Sequence, residues 1–430
     1  MTPTATPPSS QVRPNYTVPL IIIGVLFFTF GYVTWTNGVL IPFLKIVCNL
    51  KEDWQAFLVT SAFYMAFTFL AIPSSAILRK TGFKNGMIVG LGIVALGSLI
   101  FIPAAQSRTF GLFLVGLFVQ AMGITLLQTA TNPYASILGP IESAAKRISI
   151  LGICNKSAGI LVPLILGAII LSDADTLESQ LAALTTEAQR NVFLDDLASR
   201  IIMPYVLLAG FLVLVAILIR FSPLPDLEEA DDELLPDTAA KTTAKTSVLQ
   251  FPNLVLGVMA LFLYVGAEVI AGDAIGQFGR NLGISLDEAK HFTSYTMAAM
   301  LVGYVVGIIA IPRFITQEKA LTYSAILGLI LTALSIFSEG YTTIYLMAAM
   351  GLANALMWPA IFPMGIRGLG RFTKIGSALL IMGISGGAVL PLIFAQATPS
   401  DHPQQGFWVV GVCYLFILYY AVAGHKKKSW

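Results

Sequence analysis

The sequence predicts an all-α membrane protein whose twelve transmembrane helices form two pseudo-symmetric six-helix halves. Hydrophobic residues make up 56% of the 430 residues and charged residues only 11%, whereas roughly 25% of the residues in soluble domains are charged. A second observation is a series of apolar stretches that reach the roughly 20 residues needed to cross a bilayer. A third is a single long polar and charged stretch near the middle of the chain, which divides the apolar stretches into two equal sets.

The apolar stretches are numbered spans 1 to 12 in chain order. In the N-terminal half, predicted for residues 17–221, they cover 17–44, 55–78, 86–105, 110–138, 148–172 and 201–221. In the C-terminal half, predicted for residues 250–424, they cover 250–279, 291–312, 320–338, 341–366, 375–397 and 406–424. A linker at 222–249 joins the halves, and tails at 1–16 and 425–430 flank them. Six spans on each side of a linker indicate two parallel repeats.

The distribution of lysine and arginine predicts that the linker and both tails are cytoplasmic. This orientation puts seventeen of these residues on the cytoplasmic side and seven on the outer side, in agreement with the positive-inside rule. We therefore expect a multi-pass protein that is embedded in the lipid bilayer of a plasma membrane, namely a bacterial inner membrane. The net charge of +2 is too small to indicate a nucleic-acid partner. The sequence contains no nucleotide-binding loop, metal-ligand cluster or nucleophile–base pair, so it does not predict an enzyme.

Three charged residues lie well inside predicted spans, away from the span ends: Lys156 in span 5, and Glu268 and Asp273 in span 7. Charged side chains are costly in hydrocarbon and mark a functional site or a partner. For either carboxylate, the alternative is a structural ion pair with Lys156. Two acids and one amine leave a net negative charge, which a bound cation would balance.

The glycine-interrupted string "YVGAEVIAGDAIG" (264–276) predicts a broken helix in span 7. Carbonyl oxygens exposed at such a break, together with Glu268 and Asp273, would suit a hard cation such as Na⁺. A buried carboxylate that carries a proton is the alternative. The pattern leaves both coupling ions open, and it indicates no other cofactor.

Several strings resemble the fucose permease branch of the major facilitator superfamily, the fucose, galactose and glucose symporters. The superfamily pattern Arg-x-x-Gly-x-x-x-Gly begins at Arg79, after span 2. The strings closer to the branch are "TSAFYMAF" (60–67), "QTATNPYASILGP" (128–140), "YVGAE" (264–268) and "WPAIFPMGIRGLGRFTKIGSALL" (358–380). The resemblance runs from about residue 17 to 397 and implies a monomer that takes up a hexose sugar together with a cation by alternating access.

Side-chain amides and tryptophans within the spans are the candidate sugar contacts. Amides donate and accept hydrogen bonds, and aromatic faces pack against the C–H surface of a sugar ring. The candidates are Trp35 and Asn37 in span 1, Gln128 and Asn132 in span 4, Asn155 in span 5, and Asn354 and Trp358 in span 10. The pairs in spans 4 and 10 are each four residues apart and would share a helix face. Buried amides also bridge helices, and tryptophan also lies at membrane interfaces, so each candidate has a structural alternative.

The chain departs from the proton-coupled members of the branch at two positions. Those members carry acids where this chain has Gly38 and Gln128, so coupling through these two positions is not available here. We expect the acidic function to have moved to span 7, and we favour Na⁺ over H⁺ as the coupling ion. An uncoupled sugar facilitator, in which Lys156 acts as a built-in cation, and an exporter of drugs or metabolites are the alternative functions.

Overall fold

The structure, a computed structural model, describes residues 17–137, 144–224, 246–311, 313–399, 402–427 and 429–430. Within these ranges the chain forms helices and no strand, and twelve helical stretches are long and apolar enough to span a membrane. The predicted fold class is confirmed. The tail 1–16 and most of the linker, residues 225–245, lie outside the described residues, and the domain bounds therefore stay predictions.

The N-terminal half contains spans 1 to 6 and two further helices at its outer side, the side opposite the chain termini. Gly82 has a φ of 75°, a conformation that glycine adopts readily, and it divides one long helical stretch into spans 2 and 3. The outer loop before span 6 contains two helices. In chain order the helices are Thr17–Trp35 and Asn37–Val47 (span 1), Asp53–Ala56, Leu58–Ser107 (spans 2 and 3), Phe110–Ile137 (span 4), Ala144–Val162 with the π turn Pro163–Gly167 and Ala168–Ile170 (span 5), Ala174–Ala183, Glu187–Ser199 and Ile202–Phe221 (span 6).

The C-terminal half contains spans 7 to 12, and spans 7, 10 and 11 are interrupted. In chain order the helices are Pro252–Val269 with the π turn Ile270–Ala274 and Ile275–Asn281 (span 7), Leu286–Ala289, Phe292–Ala310 (span 8), Gln317–Ile336 (span 9), Gly340–Asn354 and Met357–Ile366 (span 10), Thr373–Met382 and Gly386–Gln396 (span 11), and Phe407–Val422 (span 12). Short 3₁₀ turns lie at Val248–Gln250, Gly370–Phe372, Gly383–Ser385, Pro403–Gly406 and Gly424–Lys426.

The two halves contact each other at the outer side. The hydroxyl of Ser61, near the outer end of span 2, donates to the carbonyl oxygen of Ala388 in span 11 at 2.6 Å. The ammonium group of Lys290, before span 8, donates to the carbonyl oxygen of Leu171, after span 5, at 3.3 Å. Each bond joins one half to the other, so the outer side is held closed by direct contacts in this structure.

Glycines set the distance between several spans, because small residues allow helix backbones to approach closely. A Cβ atom built on Gly386 of span 11 would overlap the backbone carbonyl of Phe262 in span 7. A Cβ built on Gly387 would lie 2.8 Å from the ring of Tyr64 in span 2. Span 11 therefore packs closely against span 7 of its own half and span 2 of the other half only because these positions carry no side chain.

Gly386→Ala is expected to lower the thermal unfolding midpoint of the purified protein. The added methyl group meets backbone rather than a flexible side chain, so the two helices must separate, and overpacking of this kind costs about 1–3 kcal/mol. Gly92→Ala is the matched control, because a Cβ there has no neighbour within 4 Å. An equal midpoint for the two variants would show that spans 7 and 11 are not in close contact.

Candidate functional site

A cavity of ≈ 110 Å³ lies between the two halves. Spans 1, 2, 4 and 5 of the N-terminal half and spans 7, 8, 10 and 11 of the C-terminal half all contribute to its wall. The residues that line it are Phe27, Phe30, Thr34, Trp35, Tyr64, Gln128, Asn132, Ile148, Gly152, Asn155, Lys156, Tyr264, Val265, Glu268, Tyr304, Trp358 and Ile384. The lining residues come from both halves and are far apart in the sequence, so the cavity exists only when the two halves are assembled.

Seven of the ten sequence-predicted site residues line this cavity. Five are candidate sugar contacts and two are charged. They are Trp35, Gln128, Asn132, Asn155 and Trp358, with Lys156 and Glu268. The cavity thus combines three side-chain amides, two tryptophans and one pair of opposite charges, which is a lining that suits a small polar molecule with an apolar face.

An ion pair crosses the cavity wall from one half to the other. The Nζ atom of Lys156 lies 2.7 Å from Oε1 of Glu268. The two residues are only 6% and 7% exposed, so the pair is largely removed from water. Removing one partner of such a pair leaves a buried charge without compensation, which is strongly destabilising. The pairing that the sequence left as an alternative for Glu268 is therefore present in this structure.

Trp35 of span 1 contacts both the ion pair and the neighbouring Asn155 of span 5. Its Nε1 donates to Oδ1 of Asn155 at 3.0 Å, and the face of its indole lies 4.0 Å from Nζ of Lys156. A cation over an indole face is attracted by the ring quadrupole. The amide nitrogen of Asn155 donates in turn to the carbonyl oxygen of Phe27 at 3.3 Å. These contacts fix the indole and the ammonium group in one orientation at the cavity wall.

Gln128 and Asn132 present two amides from one continuous helix. Both line the cavity, as their spacing of four residues predicts for an uninterrupted helix. The Nδ2 atom of Asn132 donates to the backbone carbonyl of Gln128 at 2.9 Å. Within the described residues, the side-chain amide of Gln128 makes no hydrogen bond, and its donor and acceptor therefore remain available to a ligand.

Three tyrosines in the cavity wall were not among the predicted site residues. Tyr64, Tyr264 and Tyr304 line the cavity, and each is at most 4% exposed. Signals in the sequence point to two of the three. Tyr64 lies in the string "TSAFYMAF", and Tyr264 precedes Glu268 by four residues on one helix. The same spacing rule that selected Gln128 and Asn132 therefore also selects Tyr264.

Three predicted site residues do not line the cavity. Asn354 is fully buried, and its Oδ1 accepts from the hydroxyl of Tyr414 in span 12 at 2.8 Å, so it bridges spans 10 and 12. Asn37 and Asp273 are also fully buried and lie on the outer side of the cavity. Both remain predictions as functional residues, but the structure places them outside the space in which a sugar would lie.

The broken helix that the sequence predicted in span 7 is instead a continuous helix with a π turn. The turn covers Ile270–Ala274 and includes Asp273. The carbonyl oxygens of Ala271 and Gly272 accept from the hydroxyls of Thr296 and Thr293 of span 8, at 2.6 and 2.8 Å. The irregular backbone is therefore satisfied by a neighbouring helix and is not exposed to the cavity. π turns of this kind often occur at functional sites.

The comparison with known sequences assigns the chain to a family of transporters. The family model described as "Major Facilitator Superfamily" matches residues 23–391. A "Glucose/galactose transporter" of Brucella abortus is 34% identical to the chain and covers 99% of it and 98% of its own length. An "L-fucose-proton symporter" of Escherichia coli is 27% identical and covers 95% of the chain and 93% of its own length.

The comparison with solved structures supports the same grouping. The fold resembles the crystal structure of the transporter FucP in its outward conformation, with a TM-score of 0.74 and 27% sequence identity, over 94% of this chain and 98% of that chain. The resemblance that the motif strings predicted is thereby confirmed.

Proposed function

The chain belongs to the Major Facilitator Superfamily, and we propose that it is a sugar transporter of the fucose permease branch that takes up a hexose with a cation. Members of this family are transporters, not enzymes. One observation carries the proposal most directly: the cavity between the halves joins amides from spans 4 and 5 to tryptophans from spans 1 and 10. Amides match the hydroxyls of a sugar, and indole faces match its C–H surface.

The position of the cavity supports alternating access as the transport mechanism. The lining residues come from both halves, while the halves are joined at the outer side by the bonds from Ser61 and Lys290. A rocking motion of one half against the other would break these outer bonds and expose the same cavity to the opposite side of the membrane. Sugar would thus meet the same residues from either side.

The proposed orientation has both termini in the cytoplasm of a bacterium, with the protein in the inner membrane as a monomer. Its support is the excess of lysine and arginine in the connections assigned to the cytoplasm and the bacterial source of the relatives. In this orientation the closed outer side faces away from the cytoplasm.

Na⁺ is the proposed coupling ion, with H⁺ as the second candidate. Support for a cation is the second acid in span 7, because Lys156 is already paired with Glu268 and Asp273 has no basic partner among the described residues. Gly38 and Gln128 provide no acid of their own. An uncoupled facilitator is favoured by a different observation, namely that Lys156 gives Glu268 a permanent counter-ion.

Calorimetric titration of the purified protein with a panel of hexoses tests the sugar site. We expect one saturable site for at least one of glucose, galactose, mannose and fucose, and no competition by lipophilic organic cations. Binding of such cations in competition with sugar would favour an exporter instead. The absence of binding by every hexose would contradict the proposal.

Gln128→Ala and Asn132→Ala are each expected to weaken hexose binding. Each removes one or two hydrogen bonds to the sugar, at a cost of about 1–3 kcal/mol, which corresponds to roughly a tenfold or larger increase in Kd. Gln120→Ala is the matched control, since this amide lies in the same span but donates to Ser98 of span 3 at 2.8 Å, away from the cavity. Unchanged hexose Kd values in both cavity variants would remove span 4 from the site.

A further inference from the structure

Asp273 lies in a fully buried contact between the two halves. Its side chain has no exposed surface, and neither of its carboxylate oxygens makes a hydrogen bond within the described residues. Asn37 of span 1 is equally buried, and both polar atoms of its amide also lack a partner there. Native proteins rarely leave buried polar atoms without a partner. Four such atoms in two residues therefore call for a ligand.

The two side chains face each other across the interface. The amide of Asn37 and the backbone N–H of Gly38 are close enough to interact with the Asp273 carboxylate, although their geometry falls short of a hydrogen bond. Thr293 of span 8 closes the space beside them. Its hydroxyl donates to the carbonyl of Gly272 and occupies the position that a side chain on Gly38 would need.

The charges around this pair leave one negative charge uncompensated. The titratable groups within electrostatic range of Asp273 are Lys156, Glu268 and the hydroxyl of Tyr64. Lys156 pairs with Glu268, and no lysine, arginine or histidine of the described residues pairs with Asp273. An ionised carboxylate in such surroundings is strongly unfavourable without a counter-charge. One bound monovalent cation would restore neutrality, whereas a divalent ion would leave an excess positive charge.

We infer that Asp273 and Asn37 form the binding site of the coupling cation, and that binding there closes the outer side of the protein. The inference rests on the proposed function and assigns its ion to a site outside the sugar cavity. A Na⁺ ion would take the two carboxylate oxygens and Oδ1 of Asn37 as ligands, because hard cations bind oxygen. A proton would turn the carboxyl group into a donor to Oδ1 of Asn37, and the Asn37 amide would donate in return. Either ion supplies the same chemistry, one positive charge at Asp273.

This position couples the ion to the movement of the halves. Span 1 and span 7 belong to different halves, so the contact between Asn37 and Asp273 exists only while the outer side is closed. An ionised Asp273 opposes closure because it must lose its water, and a bound cation removes that opposition. Sugar in the cavity favours the same closed arrangement because both halves line it. Cation and sugar then each raise the affinity for the other, as linkage requires.

Asp273→Asn is the variant that tests the site, with Asp196→Asn, an exposed residue of the outer loop, as its control. Proteoliposomes receive either an inward Na⁺ gradient at equal pH or an inward proton gradient without Na⁺. We expect wild type and control to concentrate labelled hexose under one of these gradients, which identifies the ion. Asp273→Asn should reach only the outside concentration under both gradients, while hexose exchange at equal concentrations persists in part.

Hexose exchange by the wild-type protein without any gradient separates the proposed function from the proposed ion site. If the wild-type protein shows no exchange, that result contradicts the sugar-transport function and not the ion site. Asn37→Ala covers the case in which Asp273→Asn does not fold. It keeps the carboxylate and removes one ligand, so half-maximal accumulation should need about tenfold more Na⁺, or a pH about one unit lower. Three results would each overturn the inference. They are accumulation by Asp273→Asn equal to that of wild type, an unchanged cation requirement in Asn37→Ala, and no accumulation by wild type under either gradient.

Discussion

Glu268→Gln is expected to produce a large loss of stability, because it leaves the ammonium group of Lys156 buried without its partner. The Nζ–Oε1 distance of 2.7 Å and the near-complete burial of both side chains place this pair among those whose breakage costs about 3–5 kcal/mol. The thermal unfolding midpoint in detergent measures the effect. Glu187→Gln, at an exposed position of the outer loop, makes the same chemical change and should leave the midpoint unchanged.

The double variant Lys156→Met with Glu268→Gln separates stability from transport. It removes both charges, so no unpaired charge remains and the midpoint should return toward that of wild type. Hexose exchange should stay impaired, because both residues line the cavity. A stable Glu268→Gln protein, or a double variant as unstable as the single one, would contradict the assigned pairing.

Trp358→Leu is expected to cause the second large effect, a loss of hexose binding without a comparable loss of stability. The indole lines the cavity and stacks on the ring of Phe362, with centroids 5.7 Å apart and an interplanar angle of 21°. Leucine keeps an apolar side chain but has neither the flat face nor the N–H donor. Trp358→Phe keeps the face and should restore part of the affinity.

Hexose titration of the three proteins measures this difference. Trp408→Leu provides the control, because that tryptophan is 64% exposed on span 12 and is not part of the cavity wall. Its Kd for hexose should equal that of wild type. Equal affinities for the leucine and phenylalanine variants at position 358 would reduce Trp358 to a helix-packing residue.

The sequence predicted the charged pair of the cavity well, because hydrocarbon imposes a strong constraint on such residues. Burying Lys156 and Glu268 in a membrane is costly unless the two side chains form a pair. Because they lie in spans 5 and 7, they can pair only in the interior of the helix bundle. The structure pairs them. The spacing rule also worked in span 4, where Gln128 and Asn132 lie on the uninterrupted helix Phe110–Ile137 and line the cavity together.

The same spacing rule did not hold for Asn354 and Trp358. The helix of span 10 ends at Asn354 and resumes at Met357, so Asn354 and Trp358 do not lie on one uninterrupted helix. Trp358 consequently lines the cavity, whereas Asn354 contacts Tyr414. No feature of the intervening residues, Ala355 and Leu356, marks the interruption in the sequence.

The location of Asn37 and Asp273 depends on the packing of three spans. Gly38 gives a sequence signal only through the acid it lacks, and the glycines around Asp273 predict a helix break. The structure instead uses Gly38 and Gly272 for close contacts, with Thr293 and Trp35 respectively. Tertiary packing decides which helix fills the space beside a glycine. The spacing of residues along one segment of the chain carries no information about that neighbour.

Counterflow of labelled hexose in proteoliposomes tests the sugar-transport function most directly. Vesicles loaded with a high concentration of unlabelled glucose or galactose are diluted into a trace of the labelled sugar, at equal Na⁺ concentration and pH on both sides. We expect a transient accumulation of label in vesicles that contain the wild-type protein, strongly reduced with Trp358→Leu and absent from protein-free vesicles. Wild-type vesicles that show no counterflow for any hexose, although the protein is folded and monodisperse, would contradict the proposed function.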